Sequence, residues 1–226
     1  MKYLSAIYLL IGVLEVAAEA LGNDTLRFIA KPLLMPVLIL FFYNSVRPSL
    51  NKAHKLLMVA VVFSWFGDVF LMFVRFNELF FLAGLASFLI THILYCICFT
   101  RVSQKDNPAI LPSKSWILLP LVAYFGVLMY SFFANVPAEM KIPVAVYSAT
   151  IAFMVVFAIN RYGRVNDKSF LMVLAGAFMF MFSDSLIALN KFLFTDGLAF
   201  AGVEIMMLYI AGQYLIASGT KKQYNG

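Results

Sequence analysis

From Leu56 to Val74 the chain runs LLMVAVVFSWFGDVFLMFV, flanked by Lys55 and Arg75, and its only charged residue is Asp68. A stretch of this length and polarity crosses a bilayer as one helix, because about 20 residues rising 1.5 Å each match the ~30 Å hydrocarbon core. A near-echo follows between Lys168 and Lys191, KSFLMVLAGAFMFMFSDSLIALNK, with Asp184 in the corresponding place. A carboxylate at membrane depth is costly, so it marks a function or a committed partner. The whole chain agrees with this reading: 63% hydrophobic, 12% charged, mean hydropathy +0.91. A soluble domain is nearer a quarter charged.

The pattern predicts an all-α polytopic membrane helix bundle, a single integral membrane domain over residues 1–226. Eight spans are expected, at 3–21, 28–43, 55–74, 79–99, 115–134, 142–160, 169–190 and 198–218. The second is the shortest and holds Lys31, Pro32 and Pro36, which predicts a kinked or shallow segment. The first begins after Lys2 and runs through Glu15 and Glu19 with no cleavage site, so it is expected to stay as a span. Loops are short, and any chemistry must sit among the helices.

Basic residues alternate between the two sides. Lys2, Arg47, Lys52, Lys55, Arg101, Lys105, Lys114, Arg161, Arg164, Lys168, Lys221 and Lys222 fall on one side, against Arg27, Lys31, Arg75, Lys141 and Lys191 on the other. The positive-inside rule then predicts both termini in the cytoplasm. The formal charge of +6 is spread over loops, which marks topology and lipid headgroup contact and excludes a nucleic-acid surface. Short loops favour a bacterial inner membrane. Asp68 and Asp184 lie on spans of the same direction, 13 residues after Lys55 and 16 after Lys168. That predicts similar depth in the outer half of the bilayer. It also fits two four-helix pseudo-repeats, with chance likeness of two Phe-rich helices as the plain alternative.

The other polar residues within spans each carry two readings. Glu15 and Glu19 share a helix face. Lys31 either pairs with Glu19 or Asp68, or snorkels to the headgroups; Glu19 is an interfacial end residue on the plainer reading. His92 and Tyr95 share a face, His92 being a core histidine or a proton-transfer aid. Tyr147 lies behind Pro143. Tyr209 and Gln213, one turn apart, orient a phosphodiester or glycerol hydroxyl, or tie helices together. Lys191, two turns beyond Asp184, is placed to meet a headgroup phosphate. Cys96 and Cys98 point to different faces, which argues against a disulfide or metal pair. His54, the second histidine, is expected in a loop, so no metal site is expected. No cofactor motif occurs either.

Two carboxylates sharing a low-dielectric site split their proton affinities, giving one general acid and one general base. That serves hydrolysis of an acid-labile bond in a lipid-like substrate. It serves a proton-coupled transporter of a small or lipid-like substrate equally well, and a purely structural role stays open.

A set of short pieces carries a resemblance. They are Lys31–Pro32–Leu33 with Pro36; Phe63–Ser64, Gly67–Asp68 and Leu71; and Gly84 through Phe88 to His92 and Tyr95. Gly176–Ala177, Ser183–Asp184 and Leu186 follow, then Tyr209, Gln213–Tyr214–Leu215–Ile216 and Gly219. In this order and spacing the chain resembles the YhhN-like family of integral membrane proteins, which includes the lysoplasmalogenases. The resemblance implies an eight-span hydrolase without cofactor. Its substrate would be a lysophospholipid, met among bilayer lipids. Members cleave the vinyl ether of lysoplasmalogens to a fatty aldehyde and glycerophosphoethanolamine or glycerophosphocholine, and the family's acids map to Asp68 and Asp184. One acid is then expected to protonate the alkene and the other to activate water, with Phe63, Phe66, Phe180 and Phe182 walling them in. Lys31 or Lys191 would meet the phosphate, and Glu15 or Glu19 an ammonium.

Overall fold

Eight helices build the molecule in a computed structural model that describes residues 2–104, 106–194, 197–198 and 200–223. They are α1 Lys2–Leu21, α2 Asp24–Val46, α3 Lys52–Met72 and α4 Leu79–Phe99, then α5 Leu119–Phe132, α6 Ala138–Ile159, α7 Asp167–Phe192 and α8 Ala201–Lys222. Short 3-10 turns extend α2 and both ends of α5. All eight, with these extensions, are long and apolar enough to cross a membrane. An even number of crossings puts both chain ends at one end of the bundle; the opposite end is called distal below. Lys105 lies outside the described residues.

Burial is reversed from that of a water-soluble protein. Leu9, Leu10, Val13, Leu40, Val59 and Val127 face outward, while Glu15, His54, Asp68, His92, Arg161 and Asp184 are buried. Only a hydrocarbon solvent makes that arrangement favourable, because each outward polar group would lack a partner there. This is an integral membrane protein.

Three helices start on an asparagine whose side chain accepts from a first-turn amide: Asn23 from Leu26, Asn51 from His54 and Asn166 from Ser169. The second span is a correction to the sequence reading. It is a helix of 23 residues through both prolines, not a shallow segment of about 16. Pro36 has no N–H to give the carbonyl of Pro32, and the Trp65 indole donates to that carbonyl instead, at 2.8 Å. His54 is a second correction: it lies in the first turn of α3, fully buried and edge-on to Phe42.

The most extensive packing joins α7 to α8 and α3 to α4. Gly176 and Gly212 set the α7–α8 distance. A Cβ on Gly176 would sit 2.7 Å from the Gly212 carbonyl oxygen, and one on Gly212 would sit 3.0 Å from that of Gly176. At the terminal end the buried Arg161 donates to Ser169 Oγ (2.9 Å), which donates to the Gly219 carbonyl (2.7 Å). α5 is peripheral, with only Leu121 and Phe132 buried.

Candidate active site

Asp184 sits on the buried face of α7, eight residues before its end. Its Oδ2 accepts from Tyr147 Oη (2.8 Å) on α6 and is hydrogen-bonded to His92 Nε2 (3.0 Å) on α4. His92 Nδ1 lies 3.3 Å from Met154 Sδ, and the ring is edge-on to Phe180 at 4.7 Å. The two anchors come from different helices, so the carboxylate is held in one orientation.

Asp184 and Tyr147 line an apolar chamber. Leu71, Phe81, Phe88, Phe125 and Phe132 form much of its wall. The cavity is narrow, about 40 Å³, room for a few waters and no more. Tyr124 of α5 donates to Ser185 at 2.8 Å, beside Asp184.

Asp68 has different company. It lies on α3, four residues before the helix ends, and accepts from Tyr209 Oη of α8 at 2.7 Å. Lys31, Glu15 and Asp184 are all within electrostatic reach of it. No hydrogen bond joins the two aspartates, and Asp68 does not line the chamber. Phe88 neighbours the surroundings of both. Its ring lines the chamber and meets Tyr209 and Phe180 edge-on at 5.9 and 6.1 Å. It rests on Gly67, where a Cβ would lie 2.6 Å from the ring. Phe180 in turn meets Tyr209 at 5.3 Å, so one aromatic cluster touches the partners of both acids.

The remaining sequence candidates divide between these surroundings and other layers. Tyr95 and Gln213 touch neither acid: Tyr95 donates to Gln213, which donates to Ser64 (2.9 Å), which donates to Thr91 (3.3 Å). This ties α3, α4 and α8 together, the plainer of the two sequence readings. Glu19 pairs with Arg27 (3.0 Å), not with Lys31. Lys191 pairs with Glu78 (2.6 Å) and lies over Phe81 of the chamber wall at 4.9 Å. Glu15 is fully buried, with neither carboxylate oxygen hydrogen-bonded to the described protein. Of the four expected phenylalanines, Phe66 and Phe182 face outward, while Phe180 is buried as expected and packs against Phe88. Phe88 and Tyr124 went unmarked by sequence reasoning for this role. The one signal for Phe88 was Gly67, a residue beside the acid that admits a ring against the backbone. Among the described residues no three His, Cys, Asp or Glu side chains converge as a metal site would need.

The fold and the buried acids define a polytopic membrane protein with an intramembrane carboxylate site. Residues 26–220 match the YhhN family, and the chain belongs to it. It is 31% identical over 165 residues to "Lysoplasmalogenase TMEM86A" of Bos taurus, covering 71% of this chain and 63% of that protein. To "Lysoplasmalogenase TMEM86B" of Sus scrofa it is 26% identical over 137 residues, covering 61% of this chain and 52% of that protein. The chain thus spans less than two thirds of these relatives' length. No solved structure matches it.

Proposed function

We propose that this protein hydrolyses the vinyl ether bond of a lysoplasmalogen, releasing a fatty aldehyde and a glycerophospho-alcohol. The observation that carries the reading is the Asp184 carboxylate, held by His92 and Tyr147 in an apolar chamber. Apolar walls suit an alkenyl chain, for which the chamber has to widen from its 40 Å³, and a positioned carboxyl group suits an acid-labile bond. The relatives' names point the same way.

The chemistry follows from the placement of the two acids. Asp184, protonated, delivers its proton to the outer alkene carbon, and an oxocarbenium ion forms at the carbon bonded to oxygen. Asp68 takes a proton from water as that water's oxygen bonds to the cation. The resulting hemiacetal passes its hydroxyl proton to the glycerol oxygen as the carbon–oxygen bond breaks, leaving the aldehyde. The proton on Asp68 returns to Asp184 and resets the site. Phe88 has to turn aside for both acids to reach one substrate. Lys191, over Phe81 at the distal end of the chamber, is the phosphate contact in this scheme. The charge bias puts this distal end on the non-cytoplasmic side.

The test is aldehyde release from alkenyl lysophospholipids by purified protein, with Asp184→Asn and Asp68→Asn compared under matched folding. Full activity in Asp184→Asn rules the scheme out. A proton-coupled transporter built on the same acids would instead give substrate-driven proton flux in sealed vesicles and no aldehyde.

A further inference from the structure

α1 and α2 run antiparallel and place acids and bases in facing register. Glu19 and Glu15 are one turn apart on α1, as Arg27 and Lys31 are on α2. The distal rung is closed, with Arg27 Nε 3.0 Å from Glu19. One turn deeper, Glu15 faces Lys31 in the same register, yet no ion pair closes between them within the ~4 Å of such a contact. Both Glu15 oxygens are buried and without a protein hydrogen bond. Lys31 is buried as well, and both residues are within electrostatic reach of Asp68. At the distal end, Arg27 also lines a cavity of about 140 Å³ with Asp24, Phe28, Leu71, Met72 and Arg75.

A carboxylate buried dry and without a donor is strongly unfavourable, and such groups in native proteins are satisfied by ordered water where no side chain serves. An open rung between a carboxylate and an ammonium supplies the several polar partners that a buried water needs. We infer that the seam between α1, α2 and α3 is a hydrated conduit carrying water from the distal surface, past Arg27–Glu19 and Glu15–Lys31, to Asp68. This separates two supplies: the apolar chamber takes the lipid at Asp184, and the polar seam brings the second reactant to Asp68. The use made of that water rests on the proposed hydrolysis; the presence of the conduit does not.

The experiment uses the full chain in detergent, with Cys96 and Cys98 replaced by serine. Single cysteines are introduced as Glu15→Cys and Lys31→Cys and treated with a small, charged, membrane-impermeant methanethiosulfonate. Val13→Cys, on the lipid-facing side of α1, is the slow reference, and Asn77→Cys, on an exposed loop, the fast one. The conduit predicts modification of both introduced thiols about tenfold faster than Val13→Cys or more, since a thiol in dry apolar surroundings is inert. Rates equal to Val13→Cys in folded protein overturn it. If neither variant folds, hydroxyl-radical labelling of the unsubstituted protein decides. Labelling of Tyr209, which bonds Asp68, well above Tyr95 supports the conduit, and equal labelling overturns it. No lipid is present in either measurement, so a chain that releases no aldehyde can still pass, and an active hydrolase can still fail.

Discussion

Asp68 and Asp184 stand on helices of like direction, each against a tyrosine from a neighbouring helix, and there the likeness ends. Asp184 is held by His92 and Tyr147 in a space walled by phenylalanine. Asp68 has one hydrogen-bonded partner among the described residues, Tyr209, and sits within electrostatic reach of Lys31 and Glu15. The same carboxylate is thus given a greasy approach in one place and a charged one in the other. Environment more than residue type divides the labour of a pair of acids. The lesson is that a pair matched by position on the sequence can be complementary and not equivalent.

The sharpest way to break this comparison is to remove each acid in turn. Asp184→Asn is expected to lower the aldehyde-release rate by about 10²- to 10⁴-fold, the usual worth of a positioned acid or base. Asp68→Asn is expected to do the same, and full activity there would leave Asp184 acting with His92 alone. His92→Gln comes next. Glutamine can keep a donor near Asp184 but not the ring's proton exchange, and kcat is expected to fall by about tenfold or more with little change in KM, whereas His92→Leu also takes away one of the two anchors.

Gly67→Val attacks the seat of Phe88. Its side chain would force Phe88 off the α3 backbone, at an expected stability cost of about 1–3 kcal/mol, read by denaturation in detergent. Tyr147→Phe and Tyr209→Phe then sharpen the contrast between the two sites. Each leaves a buried carboxyl oxygen short of a donor, worth about 1–3 kcal/mol. The Tyr209 change is expected to cost less in thermal stability, because water in the polar seam can replace the lost donor. Lys191→Gln should matter least to stability, about 0–1 kcal/mol for an exposed ion pair. A KM that rises for phosphate-bearing lysolipids and not for an alkenyl glycerol would support its proposed phosphate contact.

The eight crossings and the two acids were legible because long apolar runs and a lone buried charge need no tertiary knowledge to be noticed. The length of α2 was not. Two prolines read as a kink or a shallow segment, and the carbonyl that Pro36 cannot serve is taken by an indole from another helix, a bond no local pattern encodes. The pairing of Glu19 was hidden for a related reason. Arg27 and Lys31 share one face of α2, and only the depth of α1 beside it decides which of them is met. Phe88 was hidden by abundance. With 24 phenylalanines in the chain, nothing local distinguishes the ring that neighbours both sites from one that faces lipid. Gln213 and Tyr95 bond to each other across helices, a partnership that the sequence does not disclose, because a polar side chain in a span looks the same whether it binds a guest or another helix.

The weak attachment of α5 has a bearing on traffic. Phe125 and Phe132 of this helix form one wall of the chamber, yet it buries only Leu121 and Phe132 and is tied beside Asp184 by the single Tyr124–Ser185 bond. Displacing it exposes little that lipid would not welcome. An apolar guest of the chamber would thus have a sideways door into the membrane, with no passage through water.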